Sequence, residues 1–81
     1  MVVEEERVFY GYLIIYLNEK KATLQWCDIP LPCKEVGERV FILPRDARLI
    51  NLVFRYSEVI DVKVDEYGNI IMLLKYSFFA Q

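Results

Sequence analysis

Between Pro44 and Val59 the apolar residues of this chain change period, and that switch limits what the chain can become. Arg48, Asn51, Arg55 and Glu58 fall three, four and three residues apart. Leu49, Ile50, Leu52, Val53, Phe54 and Tyr56 lie between them. This is the spacing of an amphipathic helix, which brings residues three and four apart onto one face. It predicts one helix over residues 46–58, with Asp46 as N-cap or first-turn acid and Pro44 at the entry.

Elsewhere the period is two. Arg7–Leu17 sets Phe9, Gly11, Leu13, Ile15 and Leu17 on one face of a strand, and Val8, Tyr10, Tyr12, Ile14 and Tyr16 on the other. Gly11 suggests a bulge or a bend there. Polar Asn18–Lys21 reads as a turn, and Ala22–Cys27 alternates again, so a hairpin is expected. The prolines of Ile29-Pro30-Leu31-Pro32 should take that segment out of the sheet, since they cannot donate ladder hydrogen bonds. Val36-Gly37-Glu38 reads as a turn and Arg39–Leu43 as a short strand ending at Pro44.

After the helix, Ile60, Val62 and Val64 alternate with Asp61, Lys63 and Asp65. Glu66–Asn69 is a turn in which Gly68 or Asn69 takes a positive φ. Ile70–Phe79 is apolar on both faces apart from Lys75 and Ser77, as in a central strand or a subunit interface. The expected architecture is one α+β domain over residues 1–81. It is small, antiparallel and β-rich, in the order β-β-β-α-β-β, with no repeat or linker.

Size and composition then bear on assembly. The chain has 81 residues, of which 56% are hydrophobic and 15% aromatic. A domain this small buries only about 60–65% of its unfolded surface, so a homodimer or higher oligomer is expected. The longest uncharged run, Val8–Asn18, is far short of the roughly 20 residues of a membrane helix. The acidic start is unlike the basic n-region of a signal peptide. An intracellular protein is expected.

Histidine is absent. That removes Ser-His and Cys-His pairs and most zinc sites, and the isolated glycines form no phosphate loop. No catalytic residue, metal or cofactor is expected. Cys27 and Cys33 fit either two thiols or a disulfide. Cytosolic thiols are normally reduced, whereas hyperthermophile proteins are an exception, and a chain without His and rich in Ile, Val, Tyr and Glu suits a hot source.

Several weaker patterns have plain readings. Asp61 with Asp65, or Asp65 with Glu66, fits a solvated strand edge better than an acid–base pair. The Tyr10, Tyr12 and Tyr16 face fits a covered sheet face or subunit contact better than a base-stacking platform, which interleaves Lys and Arg. Glu4-Glu5-Glu6 reads as a solvated end. Phe78-Phe79 reads as the end of a core strand rather than a docking peptide.

Basic charge gathers at the helix. Residues 39–55 hold Arg39, Arg45, Arg48 and Arg55 against Asp46 alone, within a chain of net charge −2. The text Gly37-Glu38-Arg39-Val40-Phe41-Ile42-Leu43-Pro44-Arg45-Asp46-Ala47-Arg48, followed by Ile60-Asp61-Val62-Lys63-Val64-Asp65-Glu66-Tyr67-Gly68-Asn69-Ile70, resembles the AbrB/SpoVT family of swapped-hairpin DNA-binding domains. The resemblance covers residues 33–74. It departs from the pattern in a longer strand before Pro44 and in lacking a glycine after the helix, and residues 1–32 have no counterpart. It implies an interlocked homodimer that presents paired arginines to double-stranded DNA, as a transcriptional regulator does. Arg45 and Arg48 would make the first contacts, supported by Arg39, Lys34 and Arg55, because guanidinium groups suit phosphate contact and guanine reading.

The alternative expectation is a protein-interaction or structural module, of an archaeon or an archaeal virus. The excess apolar surface and the tyrosine face motivate it. A β-grasp-like partner-binding domain also fits the strand-Pro-helix-hairpin order. Arginines on one open face would favour DNA. Arginines paired with acids within the subunit would favour a structural role.

Overall fold

The computed structural model describes residues 5–30 and 33–80, with side chains over 5–27 and 37–78. Strand β1 (Glu5–Tyr16) is followed by a 3-10 turn (Leu17–Glu19), then β2 (Lys21–Pro30), β3 (Cys33–Ile42), helix α1 (Ala47–Tyr56), β4 (Glu58–Val64) and β5 (Ile70–Ala80). The strands form one antiparallel sheet in the spatial order β3-β2-β1-β5-β4. The chain order is the expected one. β1 and β5, the two strands apolar on both faces, are central and pair along eleven positions from Glu5 opposite Ala80 to Ile15 opposite Ile70.

The core lies on one side of the sheet. Leu13, Ala22, Leu24, Phe41 and Leu74 are buried there, and Ile50 of α1 joins them. Leu49, Val53 and Phe54 pack against this cluster, while Arg48, Asn51 and Arg55 are exposed. The helical period therefore put the polar residues of α1 outward as expected, but Leu52 and Tyr56 of the apolar set are exposed as well, because the sheet covers a narrower arc of the helix. The helix is shorter than 46–58, because Ser57 is already extended and Glu58 opens β4.

Three turn signals did other work. Pro30 does not leave the sheet: it closes the β2–β3 ladder opposite Cys33, where the ladder ends and a missing N–H costs little. Val36-Gly37-Glu38 is no turn but lies within β3. Gly37 pairs with Trp26 and Glu35 with Cys27, so Val36 is the extra residue of an irregularity that keeps a long hairpin in register. Arg39–Ile42 is accordingly the end of a ten-residue strand rather than a short strand of its own. Gly11 makes neither bulge nor bend. It pairs regularly with Trp26 on one side and Leu74 on the other. Its need is space, since a Cβ there would sit 2.9 Å from Cζ3 of Trp26.

The β1–β2 and β4–β5 reversals have local causes. Lys20 takes the left-handed conformation at φ 51° before Lys21 starts β2. In the β4–β5 turn, Gly68 supplies the positive φ of 83°. Oδ1 of Asp65 accepts the N–H groups of Tyr67 at 2.8 Å and Asn69 at 2.9 Å, and Oδ2 accepts from Asn69 Nδ2 at 3.0 Å.

Candidate functional site

The described side chains among the five basic residues singled out at the helix have different surroundings. Arg45 forks onto Asp46, its Nε donating to Oδ1 at 3.3 Å and its Nη2 to Oδ2 at 3.0 Å. The hydrogen bonds from Arg45 and the Ile42 amide hold the Asp46 carboxyl below the usual carboxylate range, and Asp46 raises the Arg45 guanidinium in return. Arg39 lies over the Phe41 ring, 5.3 Å from its centroid, and its charge adds to the ionisation of Asp46. Arg45 is thus paired with Asp46 within the subunit, and Arg39 is placed against Phe41. Arg48 and Arg55 are exposed on the outward side of α1, and neither makes an ion pair among the described residues. The side chain of Lys34 lies outside the described residues.

Asp46 holds the N-cap position without capping the helix. Its carboxylate turns back to accept the Ile42 N–H at 2.8 Å. The Asp65 carboxylate is engaged by its own turn: burial pushes it up, and hydrogen bonds from Asn69, Tyr67 and Gly68 outweigh that and lower it. Among the described residues no group of three or more Cys, Asp or Glu stands ready to hold a metal ion. Cys27 is fully buried and disulfide-bonded, and the chain holds one other cysteine, Cys33.

Two larger features remain. The first is the sheet face away from α1. The ladder register puts Val8, Tyr10, Tyr12, Ile14 and Tyr16 of β1 on it, beside Ile71, Leu73, Lys75 and Ser77 of β5 and Lys21, Thr23, Gln25 and Cys27 of β2, with the charged Glu38 of β3 and Asp61 and Lys63 of β4 toward its edges. Cys27, opposite Tyr10 on this face, is fully buried, and the β1 side chains of the face are half-buried. Val40 and Ile42 of β3 extend it and are 51% and 44% exposed. Lysines missing from the β1 sequence arrive here from neighbouring strands. Lys75 pairs with Tyr10, and Lys21 Nζ lies 5.2 Å from the Tyr16 ring centroid.

The second feature, on the helix side, is an open groove of about 430 Å³. Phe9, Trp26, Tyr76 and Phe78 line it from the sheet, Val53, Tyr56 and Ser57 from the end of α1, and Gly37 from β3. Its rings pack on one another: Phe9 and Phe78 stack at 6.1 Å, and Trp26 meets Tyr76 edge-on at 6.3 Å. Sequence reasoning missed this groove. The alternation placed Phe9 on the correct face, but only the register brings Tyr76 opposite Phe9 and Gly37 opposite Trp26.

No helix among the described residues is long and apolar enough to cross a membrane. No protein-family model, curated protein or solved structure matches the chain.

Proposed function

We propose that this protein is a non-enzymatic interaction module that assembles with a second copy of itself through the sheet face opposite α1. One observation carries this reading: the helix covers a single face of a sheet whose central strands are apolar on both. Strands of 7 to 12 residues give that face a plane of roughly 800 Å² at about 3.3 Å rise and 4.8 Å spacing. A standard interface needs about 800 Å² per partner. Tyrosine suits such a surface, because its ring packs while its hydroxyl stays hydrated.

The test is sedimentation equilibrium of the wild-type chain and of a variant carrying Ile14→Glu and Leu73→Glu. The wild type should be dimeric at tens of micromolar and the variant monomeric with an unchanged far-UV spectrum. A wild type that stays monomeric at 200 µM would overturn the reading.

A second reading, a dimeric DNA-binding regulator of the swapped-hairpin type, draws support from the exposed Arg48 and Arg55. The two readings differ in geometry. A face-to-face sheet dimer leaves its helices on opposite outer surfaces, so their arginines cannot converge on one duplex. Fluorescence anisotropy with a duplex at about 50 mM salt separates them, since phosphate contacts dominate there. Binding lost in Arg48→Ala/Arg55→Ala would favour the regulator, and no binding would remove it.

A further inference from the structure

We propose that the aromatic groove on the helix side is a binding site for a neutral, planar aromatic molecule. The inference begins with one row across the sheet, Gly37–Trp26–Gly11–Leu74. Two glycines flank the single tryptophan, and they are not equivalent. Gly11 is required by packing: a Cβ there would meet Trp26 Cζ3 at 2.9 Å and Cε3 at 3.1 Å. The indole therefore lies against Gly11. Gly37 has no such reason. Among the described residues nothing comes within 4 Å of where its Cβ would stand, and its φ is not in the left-handed region. Glycine inside a strand weakens it, so an interior glycine needed neither by backbone nor by a neighbour leaves room for something else.

The room has a definite chemistry. Among the described residues no charged side chain lines the groove, so an ionic ligand would lose its hydration without compensation from them. Four aromatic rings form the sheet side, and they favour offset or edge contact with another ring. Trp26, Tyr56, Ser57 and Tyr76 carry polar groups able to orient a weakly polar guest. The volume of about 430 Å³ falls within the range of roughly 300–1,000 Å³ typical of small-molecule sites.

Trp26 is the only tryptophan, so the site carries its own reporter. The experiment titrates the full chain with the neutral fluorophore N-phenyl-1-naphthylamine and follows Trp26 quenching with sensitised probe emission. The expected result is saturable 1:1 quenching with a Kd on the order of 10–100 µM. Gly37→Leu should fill the space and weaken binding at least tenfold. Tyr56→Ala, at a 65% exposed rim position, keeps the fold if Gly37→Leu does not, and should weaken it several-fold. Leu52→Ala on the outer side of α1 should leave it unchanged. Ile14→Glu/Leu73→Glu, which alters only the opposite face, should bind as the wild type does. Unsaturable quenching, equal affinity in both Gly37→Leu and Tyr56→Ala, or loss of binding in Ile14→Glu/Leu73→Glu would overturn the proposal.

Discussion

Asp46 and Ile42 hold each other twice: the Asp46 carboxylate accepts the Ile42 N–H at 2.8 Å, and the Ile42 carbonyl accepts the Asp46 N–H at 2.7 Å. This reciprocal pair closes the Leu43-Pro44-Arg45 corner and sets α1 at its angle to β3. The carboxylate is held below its ordinary value of 3.8, first by the hydrogen bond from Arg45 and then by the Ile42 amide. A depressed folded pKa contributes stability that is present above the unfolded value and lost as pH falls through the folded one. Asp46→Asn should therefore melt below the wild type at about pH 7, and the gap should close by about pH 2. Thermal melts followed by circular dichroism across that range check this. A gap that persists at low pH would show that charge plays no part.

The two glycines beside Trp26 should respond oppositely. Gly11→Ala forces a Cβ into the indole and should destabilise by about 1–3 kcal/mol, with a shift of Trp26 emission. Gly37→Ala meets open space and should stabilise by about 0.5–1 kcal/mol. Urea titrations of both variants decide it. Equal signs would refute the inequivalence of the two sites.

The core and the β4 edge should also separate. Leu74 is fully buried between the helix and the sheet, and Leu74→Ala should cost about 2–5 kcal/mol. Val62, 52% exposed on β4, should tolerate alanine within about 0.5 kcal/mol. A larger cost at Val62 that grows with protein concentration would place β4 in a subunit contact.

Reducing the disulfide at Cys27 should destabilise the β2–β3 hairpin. A bridge to Cys33 closes a short loop, worth on the order of 2 kcal/mol by chain entropy. Melts with and without dithiothreitol, beside a Cys27→Ala variant that should be indifferent to reductant, measure this. Alkylation of the unfolded, unreduced chain should label no thiol.

A good part of the fold was legible in the residues themselves. Alternation gave β1 its two faces. The change of period at Pro44 located α1, and its spacing separated Ile50 from Arg48 and Arg55. The apolar residues of β5 on both faces allowed a central strand or a subunit contact, and the sheet order gives the interior position. The patterns are local properties, because periodicity depends only on backbone geometry. Pairing is not local. Val36-Gly37-Glu38 carries the composition of a turn, yet cross-strand pairing of Gly37 with Trp26 and Glu38 with Gln25 keeps it extended in β3. Gly11 carries the composition of a bulge, and only the Trp26 side chain from β2 explains it. The arginines were visible as a charge cluster, but tertiary structure decided that Arg45 would be taken up by Asp46 while Arg48 and Arg55 stayed in solvent. The aromatic groove belongs wholly to register, since Phe9, Trp26, Gly37 and Tyr76 come from four strands that meet only when the sheet is assembled.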